Sequence, residues 1–338
     1  MIVTCGKCKT KYRVNDSSIR QKEFRARCLR CDHAFLVRKP ETKSKNTRQN
    51  ERALLGDPDG TKHSTPAEAN CKVIAVCNRK GGVAKTTTCI NLAAALSKMK
   101  KRVLLVDFDI QANLSLLLGC QNEKSFFDVI HSHDTELSQY IVKTKANFWL
   151  LPSNSKMALL SKKHLPKENF EYMLRDKIMT IRSYFDFILI DTPPSGDFYT
   201  LNALLASDEA IIPTQCEYLS MSGVSHIVNM IDVIEEKAGH KIDYHVLITL
   251  FENDNTVGNV VRSKINKEYE GKIFDTLVYK DRSVQESQIF NQAVVHYRED
   301  SDASKQYFEL AKEILQIQGK SNVKNVDEEE VVSVKYQA

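Results

Sequence analysis

No stretch of this chain is apolar enough to span a bilayer. The longest mostly apolar runs, around Ile188–Ile190 and Ala210–Pro213, fall far short of the ~20 residues that a membrane helix requires. Met1–Lys11 holds Cys, Lys and Gly and lacks the apolar core of a secretory leader, so a cytoplasmic location is expected. No internal repeat is visible. The chain is otherwise ordinary for a globular protein, with 42% hydrophobic and 27% charged residues, which excludes a wholly disordered or fibrous chain. Its 338 residues suggest about two domains at ~100–200 residues each.

Charge is unevenly spread. Residues 1–50 hold 14 Lys and Arg against 4 Asp and Glu, a net of +10, whereas the whole chain carries +5. The remaining 288 residues are therefore at −5. A basic segment of this kind can meet phosphates or an acidic protein surface, or can be a solvated face with no partner.

Nine cysteines are present, four of them in two CxxC pairs, Cys5–Cys8 and Cys28–Cys31, separated by nineteen residues. Four soft thiolates at this spacing suit a closed tetrahedral zinc site, and four protein ligands leave no open position, so the metal is structural. A module of residues 1–38 is too small to fold on its apolar residues alone; metal binding supplies the missing free energy. Tyr12, Val14, Ile19, Phe24, Phe35 and Val37 are candidates for its small core, and His33 reads as a surface or supporting residue. Cys71, Cys77, Cys89, Cys120 and Cys216 read as buried thiols.

Residues 39–70 are polar, with no helical or strand period, and read as a flexible linker. From Cys71 onward, short runs rich in Val and Ile alternate with helical stretches. The expected strands are Lys72–Cys77, Arg102–Val106, Phe148–Leu151, Phe187–Ile190, Glu209–Pro213, Tyr244–Leu250 and Ile273–Val278. Continuous apolar strands separated by helices predict an α/β domain, residues 71–318, with a mostly parallel sheet and helices on both faces. A last helix is expected over Ser304–Gln318, with Tyr307, Leu310, Ala311, Ile314 and Leu315 on one stripe, followed by a disordered acidic tail, 319–338.

The strand Val73–Cys77 runs into Asn78-Arg79-Lys80-Gly81-Gly82-Val83-Ala84-Lys85-Thr86-Thr87-Thr88 and then into a helix expected over Cys89–Met99. Backbone N–H groups from Gly81, Gly82, Val83, Ala84, Lys85, Thr86 and Thr87 would face phosphate oxygens. Lys85 would reach the terminal phosphates, and the Thr86 hydroxyl would coordinate Mg²⁺. The ordinary pattern GxxxxGK[ST] fails, because Arg79 and Ala84 stand where glycines are expected. The variant KGGxxK[ST] matches in full and adds Lys80.

Residues 72 to about 318 resemble the ParA/Soj/MinD family of deviant-Walker ATPases, and its ParA branch most. Further motifs carry the resemblance. Asp107-Phe108-Asp109-Ile110-Gln111-Ala112-Asn113 is similar to the family's D-x-D-P-Q-x-N, with Ile110 in place of Pro. Phe187–Pro194 resembles its hhhhDxPP strand, and Ile212–Tyr218 also matches the ParA branch. The resemblance implies that Asp107 helps to organise Mg²⁺ and Thr86, that Asp109 positions the attacking water, and that Asp191 holds Mg²⁺ through water. Capping of the following helix is the other reading of Asp109. The resemblance also implies that Lys80 crosses to the nucleotide of a second subunit in an ATP-dependent homodimer, as a cation supplied in trans. Lys80, Lys85 and Asp109 are thus the expected catalytic residues.

Such proteins bind DNA nonspecifically through basic residues, here Arg262, Lys264, Lys267, Lys272, Lys280 and Arg282, and are released when a partner stimulates hydrolysis. The expected function is an ATPase that partitions DNA or positions a cargo, with a centromere-binding or cargo protein as activator, in the cytoplasm and on the nucleoid. A zinc-ribbon nucleic-acid-binding regulator with a nucleotide-sensing domain is the alternative. A membrane partner is not expected, because the C-terminal segment is acidic rather than a basic amphipathic helix. The N-terminal segment similarly resembles short zinc ribbons of bacterial regulatory proteins.

Overall fold

The computed structural model describes residues 2–4, 7–8, 11–13, 23–27, 31, 34–38, 71–121, 124–131, 137–164, 169–194 and 197–332. The chain divides into two compact units, Met1–Asp59 and Gly60–Ala338. In the first, β1 (Ile2–Thr4) pairs antiparallel with β2 (Lys11–Arg13), and β3 (Glu23–Arg27) pairs antiparallel with β4 (Ala34–Arg38). The expected linker, 39–70, lies outside the described residues.

The second unit is built on one seven-stranded sheet. Its strands are β5 (Lys72–Val76), β6 (Val103–Asp107), β7 (Val142–Lys143), β8 (Trp149–Leu151), β9 (Phe187–Asp191), β10 (Glu209–Thr214) and β11 (Asp243–Ile248). Their spatial order is β11-β10-β5-β9-β6-β8-β7, and only β7 runs antiparallel to its neighbour. Successive strand residues face opposite sides of a sheet. Every residue of β6, β9 and β10 is buried, so both faces are covered. That is why β6 and β9 read as near-continuous runs of Val, Ile, Leu and Phe.

The helix after β5, α1 (Lys85–Lys98), puts Cys89, Leu92, Ala93 and Leu96 into the core. Three consecutive alanines, Ala93–Ala95, are fully buried there. Against α1 packs the last helix of the chain, which carries Tyr307, Leu310, Ala311 and Ile314 into the same cluster. The other helices that shape the site are α2 (Asn113–Leu117), α3 (Ser220–Ala238), α4 (Thr256–Glu268) and α5 (Arg282–Ile289). The last helix, α6, spans Asp302–Val332.

Three expectations need correction. First, α6 continues past Gln318 through most of the segment expected to be disordered. With no Pro after Ser304 and with Gly319 as the only glycine, nothing stops it, and extending a nucleated helix costs far less than starting one. Second, Ile273–Val278 is not a strand. It meets the sheet edge at a single bridge, Val246 to Ile273, and through the Val278 N–H, which donates to the Ile248 carbonyl (3.0 Å); a second bridge joins Phe251 to Tyr279 just beyond it. Between them, the Asp275 and Thr276 N–H groups donate to the Glu313 carboxylate of α6 (2.7 and 3.1 Å), which interrupts the ladder. Third, α1 begins at Lys85, four residues before the expected Cys89. Among the described residues, no helix is long and apolar enough to cross a membrane.

Candidate functional site

The parallel register brings Val76, Asp191 and Asp107 side by side at the carboxyl ends of β5, β9 and β6. Ligands of open α/β sheets bind at that end, and neighbouring strands there lie about 4.8 Å apart. The sheet alone therefore delivers two carboxylates to one place, beside the loop that leaves β5.

That loop ends in an unusual conformation. Ala84 has φ +61°, the left-handed region, as does Gly82 at +76°. A side chain in that region costs roughly 1–2 kcal/mol, so the Ala at position 84 carries backbone strain a Gly would avoid. The loop is tied down from several sides. Gln215 Nε2 donates to the Gly82 carbonyl (3.0 Å) and Thr249 Oγ1 to the Val83 carbonyl (3.2 Å). Asn78 donates through Nδ2 to the Pro213 carbonyl (2.8 Å) and accepts from the Lys80 N–H (2.9 Å).

Lys85, the first residue of α1, is buried and donates to the Lys80 carbonyl at 3.0 Å. Burial pushes its pKa down, opposed by the charges of Asp191 and Asp109. Thr86 Oγ1 donates to Asp191 Oδ2 (2.7 Å). The other Asp191 oxygen, Oδ1, is buried without any hydrogen-bond partner. Burial, with the nearby Asp107 charge, holds the Asp191 carboxyl well above the usual carboxylate range.

Asp107 Oδ2 accepts from the Ser115 N–H (2.9 Å) and Ser115 Oγ (2.6 Å) at the start of α2. Burial raises its pKa to about 7 in spite of these bonds. Asp107 thus bonds Ser115, while Thr86 bonds Asp191. Asp109 is 4% exposed and is raised by burial; its Oδ1 accepts from the Gln111 N–H (2.9 Å), so it also shapes the turn before α2. Ser153 fixes this segment from β8's end, donating to the Asp109 carbonyl (2.6 Å) and through its N–H to Ser115 Oγ (2.9 Å).

Ionised together, the three buried acids would carry more negative charge than the one buried lysine can offset. An ionised carboxylate oxygen with neither water nor a donor is costly, and a divalent cation at Asp191 Oδ1 and Thr86 removes that cost. Among the described residues, no group of three or more His, Cys, Asp and Glu closes around a metal. The remaining ligands would come from phosphate and water, which is how Mg²⁺ is usually held. A cavity of about 310 Å³ opens beside the loop, lined by Gly82, Ala84, Thr86, Leu250, Asp281 and Tyr307 among others.

Lys80 does not enter this cluster. Its Nζ pairs with Glu217 and donates to Ser220 Oγ (3.0 Å), the first residue of α3. Of the six expected basic contacts, Lys272 and Lys280 pair with Asp243 and Glu252, and the Arg262 guanidinium lies 5.3 Å over the Phe251 ring. Lys264, Lys267 and Arg282 are exposed. Cys8 and Cys31 of the CxxC pairs are half-buried; Cys5 and Cys28 lie outside the described residues. Of the single cysteines, Cys120 is half-buried and the other four are buried. Sequence reasoning missed Ser115, Ser153 and Ser220 and read Glu217 only as part of the Ile212–Tyr218 motif; these residues hold Asp107, Asp109 and Lys80. No motif contains the two serines, because their partners lie 8 to 44 residues away.

Residues 71–244 match an AAA domain family and residues 1–36 a zinc-ribbon domain family. The sporulation initiation inhibitor protein Soj of Bacillus subtilis is 31% identical over 247 residues, covering 72% of this chain and 98% of Soj. The chain belongs to the ParA/Soj/MinD family of deviant-Walker ATPases. The chromosome partitioning protein ParA of Myxococcus xanthus is 29% identical, covering 72% of this chain and 88% of that protein. Among solved structures, a cobyrinic acid a,c-diamide synthase from Mycobacterium smegmatis with bound ADP and magnesium aligns with a TM-score of 0.64 at 31% identity, covering 73% of this chain and 94% of that one. The mostly parallel seven-stranded sheet is the P-loop fold of this family.

Proposed function

We propose that this chain is a magnesium-dependent ATPase that cycles between a monomer and an ATP-bound homodimer to partition DNA or position a cellular cargo. The observation that carries the reading is the orphaned Asp191 Oδ1, beside a threonine hydroxyl and a buried lysine at the mouth of a phosphate-type loop. In this reading, Lys80 and the loop Gly81–Thr87 hold the triphosphate, and Lys85 neutralises its terminal oxygens. Thr86 and Asp191 hold Mg²⁺, which when bound draws charge from the phosphates. Asp107 orients this pair from the neighbouring strand. Asp109 orients the attacking water and accepts its proton, a task that suits a carboxylate whose pKa burial has raised.

Lys80 acts in trans. To do so it leaves Glu217, whose side chain is 61% exposed; such a pair is worth only about 0–1 kcal/mol, so the exchange is inexpensive. A Cβ at Gly81 would meet nothing within 4 Å inside this chain, which agrees with space kept for a second subunit. Zinc bound by Cys5, Cys8, Cys28 and Cys31 would fold a ribbon over residues 1–38, joined by the linker 39–70 to the ATPase domain 71–318. The name of the chromosome partitioning relative supports a partitioning role; in this reading the protein works in the cytoplasm, with DNA and an ATPase-activating cargo or centromere-binding protein as partners.

Asp109→Ala tests the chemistry. It is expected to abolish phosphate release while ATP drives the chain to a dimer on size-exclusion chromatography with light scattering. Turnover at the wild-type rate removes Asp109 from its role.

A further inference from the structure

The loop that leaves β5 carries two cations ahead of its glycine pair, Arg79 and Lys80. Arg79 stands where the ordinary phosphate-loop pattern has a glycine, so this chain has a side chain where that pattern has none. Its root is fixed. The Asn78 side chain is buried, donates to the Pro213 carbonyl (2.8 Å) and accepts from the Lys80 N–H (2.9 Å), a short turn that encloses Arg79. Its tip is held far less. Arg79 is exposed, and among the described residues the one polar contact of its side chain is a long one, Nη1 to His226 Nδ1 at 3.5 Å. Both cations lean on α3 and not on the cluster of Thr86, Asp107 and Asp191: Lys80 rests on Ser220 and Arg79 on His226. Those two contacts lie six residues apart, about 9 Å along the helix at 1.5 Å per residue, so the tips fan out from adjacent roots.

We propose that Arg79 is a second cation supplied in trans: in the ATP-bound homodimer its guanidinium binds β- and γ-phosphate oxygens of the nucleotide held by the partner subunit, beside Lys80. The proposal rests on the ATPase reading above. The acids of the site create the need. Asp107, Asp109 and Asp191 stand around one buried lysine, and a triphosphate brings more negative charge than one magnesium ion offsets. In the hydrolysis step the water oxygen bonds to the γ-phosphorus while its proton passes to Asp109. The bond from the γ-phosphorus to the bridging oxygen breaks, and its electron pair stays with the departing diphosphate. Charge therefore grows on oxygens that a guanidinium fork can take two at a time, whereas a lysine offers a point charge. Leaving His226 gives up one long contact. The enclosed turn already sets where the guanidinium starts from, so little reorganisation is left for the moment of reaction.

The test uses the whole chain with Mg-ATP and reads phosphate release. Arg79→Ala is expected to lower turnover about a hundredfold, the cost of removing one preorganised donor, with the melting temperature and the affinity of the monomer for ADP unchanged. Arg79→Lys keeps the charge without the fork, and its rate is expected to fall between those of Arg79→Ala and the wild type. Mixing chains shows which subunit supplies the group. An excess of Asp109→Ala, which binds ATP and dimerises without turnover, lends an intact Arg79 to each Arg79→Ala chain, whose own Asp109 is intact. Turnover per Arg79→Ala chain is then expected to return to the wild-type value. Arg79→Ala at the wild-type rate overturns the proposal. So does a slow Arg79→Ala that excess Asp109→Ala fails to rescue, because the residue then acts within its own chain. Lys80→Ala in the same mixture is the control for action in trans: its rescue without rescue of Arg79→Ala refutes the role of Arg79 and leaves the ATPase reading standing. A wild-type chain that releases no phosphate refutes the ATPase reading and this proposal with it.

Discussion

Gly223→Ala offers a sharp check on how the loop is held. Gly223 lies in α3, and a Cβ on it would stand 2.4 Å from Asn78 Oδ1, well inside contact distance. Asn78 is buried and cannot swing away freely, because its two ends bond the Pro213 carbonyl and the Lys80 N–H. The added methyl must therefore push α3 outward or break both bonds. Overpacking of this kind costs about 1–3 kcal/mol, and at about 2–4 °C per kcal/mol for a domain of this size the melting temperature is expected to fall by roughly 2–12 °C. The loop start moves with Asn78, so the affinity for Mg-ATP falls in the same variant. Circular dichroism melts and calorimetric titration with Mg-ATP measure the two effects. Gly319→Ala, whose Cβ meets open space, is the control and should not destabilise. Asn78→Ala combined with Gly223→Ala relieves the clash, so the pair should cost less than the sum of the single changes. Wild-type stability and affinity in Gly223→Ala would show that the close approach does not constrain the loop.

Three more outcomes follow from the geometry. Ala84→Gly relieves the left-handed strain of ~1–2 kcal/mol but adds unfolded-chain freedom of ~0.4–1 kcal/mol, so the melting temperature should rise slightly; a fall refutes the strain argument. Ser115→Ala leaves the buried Asp107 carboxylate and the Ser153 N–H short of a partner, costing about 1–3 kcal/mol, whereas Ser138→Ala, whose buried hydroxyl has no partner, should cost less. Folding raises the Asp107 pKa from 3.8 to about 7, so between these values the folded chain keeps a proton that the unfolded chain has lost. This contribution is complete below about pH 4 and is lost as pH rises through 7. Urea midpoints of the nucleotide-free protein should therefore drop more from pH 5 to pH 8 than those of Asp107→Asn, and equal drops would falsify the assignment.

Much of this architecture was legible because its signals are local. The runs Val103–Val106 and Phe187–Ile190 announce strands buried on both faces, and KGGxxK after such a run announces a phosphate loop. What escaped notice depends on distant partners. Ile273–Val278 has the composition of a strand, but Glu313 of α6 captures the N–H groups of Asp275 and Thr276 in its middle. The first turn of α1 was hidden by Lys-Thr-Thr-Thr, whose threonines have modest helix propensity. The acids of the site were visible as residues, yet their buried state was not. Only the fold reveals that Asp107 and Asp191 occupy matched rungs, that Thr86 bonds one of them, and that Lys80 rests on Glu217 and Ser220.

The flush ends of β5, β9 and β6 have a consequence for how such a centre ages and adapts. Its two innermost carboxylates are spaced by main-chain rungs in the most protected part of the molecule, so their separation is as stiff as the sheet itself. Substitutions in the surrounding loops can retune speed or timing without resetting that ruler, and the ruler is lost only when the whole domain melts.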